Sequence, residues 1–214
     1  MFRYSTRGSG SAGHVGVLFL QELFSGTTLI NALALWPLGS PGATAFGVAA
    51  PHFQLWQLVT YSFLHGGVMH LLLNMYALWL FGSRMENVWG SNAFVLYYFV
   101  CVLGAGLVQL FVATQGAGEG DIYSAIGASG GVFGLLLAFG LTFPTERLML
   151  LFPPVVLQAK WFVLIYGAVE LWAGVTGTLA GVAHAAHLGG MLFGYILLLY
   201  WRRYPPGYQT LRKR

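Results

Sequence analysis

Apolar residues fall in six runs along the chain, separated by glycine, proline, serine and charged residues. The runs cover 15–36, 68–83, 93–114, 129–143, 161–176 and 184–201. A helix needs about 20 predominantly apolar residues to cross the hydrocarbon core of a bilayer. The pattern therefore predicts an all-α membrane protein, a bundle of six transmembrane helices in one domain over 1–214, with 202–214 as a basic cytoplasmic tail.

The first run has an alternative interpretation. Gln21 and Glu22 interrupt its apolar pattern, and the sequence ALA at 32–34 is similar to the small-residue site at which signal peptides are cleaved. Cleavage there would leave five spans, so we favour a retained first helix.

Composition agrees with a membrane protein and leaves little chain for an aqueous domain. Hydrophobic residues make up 57% of the 214 residues and charged residues 7%, and the mean hydropathy is +0.70. About a quarter of the residues of a soluble protein are charged. The single cysteine, Cys101, excludes an intramolecular disulfide and any multi-cysteine metal motif, and we interpret it as a packing residue.

The positive charges give the orientation. With six spans and both termini in the cytoplasm, every Lys and Arg of the chain falls on the cytoplasmic side, whereas the outer connection between the third and fourth runs carries only Glu119 and Asp121. This is the distribution that the positive-inside rule describes. The net charge of +4 thus reflects topology, and nucleic-acid binding is not expected.

The fourth run opens on the sequence GASGGVFG at 127–134, which places Ser129 at the start of a helix that ends near Pro144. About fifteen residues make roughly 22 Å of helix, which is too short to cross the hydrocarbon alone. The start of this helix then lies below the membrane surface, where a free backbone end is tolerated only beside a water-filled cavity or within protein. Water at that depth would permit hydrolysis.

A serine at a helix start has chemical advantages as a nucleophile. The first backbone N–H groups of a helix are free, so an oxyanion formed on attack can be held by the N–H of Ser129 itself. Glycines in the fourth and sixth runs would let these helices approach closely and bring His187 to Ser129: Gly130, Gly131, Gly134, Gly189, Gly190 and Gly194. Alternatively, the glycines only pack helices and Ser129 is a small interface residue.

Two polar residues of the second run argue against that alternative. His70 and Asn74 are four residues apart and share one helix face. Polar side chains in lipid are costly unless they face a cavity or a partner. Near a reactive serine, they would serve as hydrogen-bond donors to the oxyanion.

Together, His65, the pair His70-x-x-x-Asn74, GASGG around Ser129 and AHLGG around His187 resemble the rhomboid family of intramembrane serine proteases, in the same order over 50–201. The resemblance implies a six-helix bundle around a cavity open to the extracytoplasmic side. It implies Ser129 as nucleophile and His187 as base, with an oxyanion hole of His70, Asn74 and the Ser129 N–H. His65, Gly127 and Gly130 would support the site, and no metal or cofactor is expected.

Several neighbouring residues need an interpretation of their own. Glu170 is a candidate to orient His187, but the resemblance requires no acid and we favour a buried glutamate paired with a polar neighbour; Asp121, in an outer loop, is a weaker candidate. We assign His184 to packing around the site, as a supporting hydrogen-bond residue, and Glu86 to a structural role. Gln57 stands where many members of the family carry arginine, so the anchoring of the first outer loop is open.

The resulting hypothesis is an intramembrane serine protease that cleaves a single-pass transmembrane protein through an acyl-enzyme. Alternatives are a noncatalytic relative that binds membrane clients, and a metal or proton transporter that uses the histidines. The fifth run is equally compatible with a gate for substrate entry and with a fixed helix. The expected partners of the protein are its substrate and the lipid bilayer. We expect a bacterial inner membrane as the location, and the sequence predicts no oligomeric state.

Overall fold

The computed structural model describes residues 27–39, 51–149, 154–177 and 183–206. Its α-helices are α1 (Thr27–Leu33), α2 (Gln57–Thr60), α3 (Val68–Ala77), α4 (Ser83–Trp89), α5 (Ser91–Gly118), α6 (Ser129–Thr142), α7 (Ala159–Thr176) and α8 (His184–Arg203). A 3-10 turn (Tyr61–Phe63) follows α2, and a π-helical segment (Leu78–Gly82) joins α3 to α4. Two short strands, β1 (Arg147–Met149) and β2 (Val156–Gln158), lie between α6 and α7.

The later apolar runs coincide with helices. The second run continues through the π-helical segment to Trp89, the third corresponds to α5, and the fourth, fifth and sixth correspond to α6, α7 and α8. Gly90, with φ of +81°, ends α4 and turns the chain into α5. The first run is described only from residue 27, and α1 lies inside it. Residues 15–26 and 207–214 lie outside the described residues, and so does the part of the possible leader before residue 27.

The number of spans is not settled by helix length. Within the described ranges, α5 alone is long and apolar enough to cross a membrane by itself. The segments Gln57–Phe63 and Val68–Trp89 meet at a bend of 101° and pass the same test only when taken together, and α6 is apolar but shorter. Six spans therefore stay a prediction.

The sequence predicted helices only, but the structure also contains one small pair of β-strands. β1 and β2 form an antiparallel pair with Arg147 opposite Gln158 and Met149 opposite Val156. Strands of three residues are too short to show an alternating pattern in the sequence. This hairpin closes the connection between α6 and α7 without changing the helical character of the fold.

The basic residues of the described part of the chain gather at one end of the bundle. Arg84 pairs with Glu146 at 3.0 Å, and Arg147 follows directly in β1. The backbone N–H of Lys160 donates to the carbonyl of Pro144 at 3.2 Å. Arg202 lines a groove together with Thr142 at the end of α6. This common placement is the one that cytoplasmic termini require.

Helices α5, α6 and α8 pack backbone to backbone. A Cβ added at Gly190 of α8 would overlap the backbone of Gly130 on α6, and one added at Gly134 of α6 would meet Cys101 on α5. Cys101 is fully buried. The predicted close approach of the fourth and sixth runs is confirmed, and Cys101 packs at the centre of the bundle.

Gln57 anchors the outer loop in place of the arginine. Its side chain is 1% exposed, and its Oε1 accepts from the backbone N–H groups of Trp36 and Gln54, each at 3.3 Å. Nearby, Trp56 Nε1 donates to the Ala32 carbonyl at 2.9 Å. A neutral amide therefore ties α2 to the segment after α1.

Candidate active site

Ser129 and His187 meet between α6 and α8. Ser129 is the first residue of α6, and His187 lies in the first turn of α8. The Ser129 Oγ and His187 Nε2 are 2.7 Å apart, within the range of a hydrogen bond. The structure thus brings together the nucleophile and base that the sequence indicates.

The chain before Ser129 is held on both sides. Ala125 and Leu35 exchange two backbone hydrogen bonds of 3.0 Å, and the Gly127 N–H donates to the Tyr61 carbonyl at 2.9 Å. Gly127 has φ of +129°, a conformation that side chains disfavour. The start of α6, with its free N–H groups, is therefore held in place by the segment after α1 and by the 3-10 turn.

His70 presents a defined nitrogen to this region. The Gly66 N–H donates to His70 Nδ1 at 3.1 Å, so a neutral ring carries its proton on Nε2. A Cβ added at Gly127 would lie 3.1 Å from His70 Nε2 and 3.6 Å from Ser129 Oγ. An N–H donor thus lies beside Ser129, on the side where the predicted oxyanion hole requires one.

Asn74 and His65 have less direct relations to the serine. Asn74 is buried, and its Nδ2 donates to the His70 carbonyl at 2.9 Å. An amide nitrogen has a second N–H, and its use in the oxyanion hole stays a prediction. The His65 ring meets that of His70 edge on, with centroids 5.2 Å apart, as expected of a supporting residue.

The sequence interpretation missed Phe133. Its ring is stacked on His187 with centroids 4.1 Å apart and 7° between the planes. Ser129 and Phe133 are four residues apart and share one face of α6, and this spacing was the available signal. The stack holds the plane of the imidazole that contacts Ser129.

Replacing Phe133 with leucine is expected to lower the turnover of a cleavable substrate by up to about tenfold, because an aromatic stack contributes roughly 0.5–1.5 kcal/mol beyond area burial. Phe133→Tyr keeps the stack and is the matched control. Single-turnover cleavage rates of both variants measure the effect. Equal rates for the leucine and tyrosine variants would show that the stack does not position His187.

Glu170 lies behind the histidine. It is 8% exposed on α7, and its Oε2 is 2.7 Å from His184 Nδ1 and 2.9 Å from His187 Nδ1. The contact to His187 is at ion-pair distance but lacks the alignment of a hydrogen bond. We expected Glu170 to be a buried glutamate paired with a polar neighbour, and His184 is such a neighbour. The carboxylate also contacts His187, the residue that the alternative interpretation had it orient.

His184 lies one helical turn before His187 and contacts the same carboxylate. Its Nδ1 hydrogen-bonds to Glu170, which agrees with the supporting hydrogen-bond residue that the sequence indicates. Its relation to Ser129 is indirect, whereas His187 Nε2 lies 2.7 Å from the Ser129 Oγ.

The cluster of Glu170, His184 and His187 has the side chains of a metal site, with ligand atoms within 4.8 Å of one another. However, ligand atoms around tetrahedral zinc lie about 3.3 Å apart, given bonds of about 2.0 Å. The 2.7 and 2.9 Å contacts to a single oxygen are shorter than this spacing, so they fit direct contact of the histidines with a carboxylate better than ligands around an ion.

These observations define a helical membrane protein with a serine–histidine pair at the start of a buried helix. Residues 52–204 match the family model described as Rhomboid domain, so the chain belongs to the rhomboid family, and its membrane embedding follows.

Named relatives agree with this family. The chain is 32% identical over 162 residues to presenilin-associated rhomboid-like protein A, mitochondrial, of Danio rerio, with 70% of this chain and 39% of the relative covered. It is 36% identical over 143 residues to RHOMBOID-like protein 4 of Arabidopsis thaliana, with 66% and 33% covered. RHOMBOID-like protein 5 of the same plant is 30% identical over 172 residues, with 75% and 52% covered. The chain thus spans a third to a half of these relatives.

Proposed function

We propose that this protein is an intramembrane serine endopeptidase that uses Ser129 and His187. The observation that carries the proposal is the 2.7 Å contact between Ser129 Oγ and His187 Nε2 in a chain of a membrane-embedded family. A serine hydroxyl is a weak nucleophile until a neighbouring base takes its proton. That contact supplies the base.

The residues suggest a sequence of steps. Ser129 Oγ attacks the peptide carbonyl as its proton passes to His187 Nε2, and the oxyanion is held by the Ser129 N–H and His70 Nε2, with Asn74 as a third donor. His187 then gives the proton to the leaving amine, and an acyl-enzyme forms on Ser129. Water activated by the same histidine hydrolyses this ester.

The proposed substrate is a single-pass transmembrane protein. Its helix must unwind for a carbonyl to reach Ser129, so glycine, proline or small polar residues near the cut favour cleavage. Helix α7 is the candidate gate, because it exposes Trp161, Tyr166 and Trp172 and buries few residues. The bacterial inner membrane stays an expectation from the sequence, since the relatives named above come from an animal and a plant.

Other functions explain fewer residues. A client-binding protein without activity has no need for a serine hydroxyl 2.7 Å from an imidazole. A metal or proton transporter would use the histidines but leaves the placement of Ser129 at a helix start unexplained. The protease therefore accounts best for the whole site.

Cleavage of a fluorescent single-pass substrate by purified protein in liposomes tests the proposal. We expect cleavage by the wild type, none by Ser129→Ala, and no effect of a metal chelator. Ser124→Ala removes a hydroxyl from the connection before α6 and serves as the matched control with unchanged activity. Absence of cleavage by folded wild type, across several substrates with destabilised helices, would favour a client-binding protein. Activity that survives Ser129→Ala but not the chelator would overturn the mechanism.

A further inference from the structure

Glu170 is a buried carboxylate on a helix with a largely apolar sequence. Burying a charged group is costly unless it is paired and hydrogen-bonded. In the described part of the chain, its ion-pair partners are His184 and His187, both on α8, and neither is a lysine or arginine. The contacts of this acid are therefore with the base of the site and with the histidine one turn before it.

The geometry favours one placement of the protons. An ionised carboxylate accepts hydrogen bonds and donates none, so the hydrogen bond with His184 places a proton on its Nδ1. The approach of His187 Nδ1 to the same oxygen at 2.9 Å favours the tautomer of His187 that carries its proton on Nδ1. A neutral His187 with its proton on Nδ1 has a lone pair on Nε2. That nitrogen is 2.7 Å from the Ser129 Oγ, and only this tautomer can act as a general base.

We propose that Glu170 is a positioning residue for His187, which makes the site a serine–histidine–glutamate arrangement in which His184 holds the carboxylate in place. This inference rests on the proposed protease function. In each half-reaction one proton moves from the attacking oxygen to His187 Nε2 and on to the leaving group. Glu170 stays ionised throughout and stabilises the imidazolium that forms between the two transfers.

Three contacts then restrain the imidazole of His187. Phe133 covers one ring face, Ser129 meets Nε2 and Glu170 meets Nδ1. The imperfect alignment at Nδ1 is compatible with this role, because catalytic hydrogen bonds often tighten only when substrate is bound. Since Glu170 belongs to α7 and His187 to α8, the contact also joins these two helices at the site.

Glu170→Gln tests the proposal, because it removes the charge and keeps the size. We expect kcat to fall about 10- to 100-fold, the effect of losing a hydrogen bond to a charged group, while KM changes little. Glu170→Asp keeps the charge on a shorter stem and is expected to recover part of kcat. Glu119→Gln, an exposed substitution with the same change in charge, is the matched control and should behave as the wild type.

Active enzyme is counted by titration with a fluorophosphonate, so that kcat refers to folded sites. If Glu170→Gln does not fold, His184→Asn replaces it; this variant keeps the carboxylate and is expected to lose about 3- to 10-fold in kcat. A Glu170→Gln enzyme with wild-type kcat overturns the positioning role, even if Ser129→Ala is inactive and the protease function therefore stands. Loss of wild-type activity in a chelator overturns it too, in favour of a metal at these side chains.

Discussion

Replacing His187 with alanine is expected to lower the rate of peptide-bond hydrolysis by roughly 10,000-fold or more, because the serine loses its only base within hydrogen-bonding distance in the described site. In the proposed mechanism the same histidine also returns the proton to the leaving amine, so both halves of the reaction should fail together. Initial rates with a fluorescent single-pass substrate in liposomes measure the loss. The release of product must be followed for many turnovers of the wild type to cover this range.

The matched control is His52→Ala, which removes an exposed histidine and is expected to leave the rate unchanged. His184→Ala separates the two histidines of α8: it is expected to reduce the rate far less than His187→Ala does, since His184 contacts Glu170. If His184→Ala were inactive and His187→Ala active, the two histidines would have exchanged roles. Wild-type rates in both variants would argue against general-base catalysis by this helix.

The positions of the long helices could be predicted from the sequence because glycine, proline and charged residues separate apolar runs, and the long apolar runs form helices. Helix α6 starts at Ser129, two residues after the glycine at 127, and ends at Thr142, two residues before Pro144. By contrast, the β1–β2 hairpin was missed, since three-residue strands carry no measurable period. Residues 78–82 form a π-helical segment, and an apolar run gives no sign of such a local change in winding.

The sequence motifs predicted that Ser129 and His187 lie together, whereas the positions of the residues around this pair depend on how the helices rotate against each other. An apolar helix such as α7 offers several faces to its neighbours, so its sequence does not show that Glu170 points at α8. Likewise, the ring of Phe133 could have packed in the core or faced lipid. The sequence interpretation of Gln57 considered only the arginine contacts that a glutamine cannot make. In the structure Gln57 Oε1 accepts two backbone hydrogen bonds, which an arginine side chain cannot do because it has no acceptor.

The close packing of α8 against α6 at Gly190 lies beside the contact between Ser129 and His187. The backbone of this residue on α8 lies against the backbone of Gly130 on α6, one residue after Ser129, while His187 precedes Gly190 by three residues. The separation of α6 and α8 at this point sets the distance between the Ser129 hydroxyl and the His187 ring. A side chain at 190 would therefore change both packing and activity.

Gly190→Ala is expected to destabilise the protein by about 3 kcal/mol or more, because the new Cβ would overlap the carbonyl of Gly130 and backbone cannot swing away as a flexible side chain can. The surviving folded molecules are expected to have α6 and α8 pushed apart and to cleave substrate much more slowly. Thermal unfolding in detergent, together with the fraction that fluorophosphonate labels, measures the two effects separately.

Gly118→Ala is the matched control, because a Cβ at the end of α5 would have no neighbour within 4 Å. There the substitution should be neutral or stabilise by up to about 1 kcal/mol, the difference in helix propensity between glycine and alanine. If Gly190→Ala unfolded at the same temperature as Gly118→Ala and kept its activity, then α8 must adjust at little cost. Such an adjustment would mean that the approach of Gly190 to Gly130 does not set the distance between Ser129 and His187.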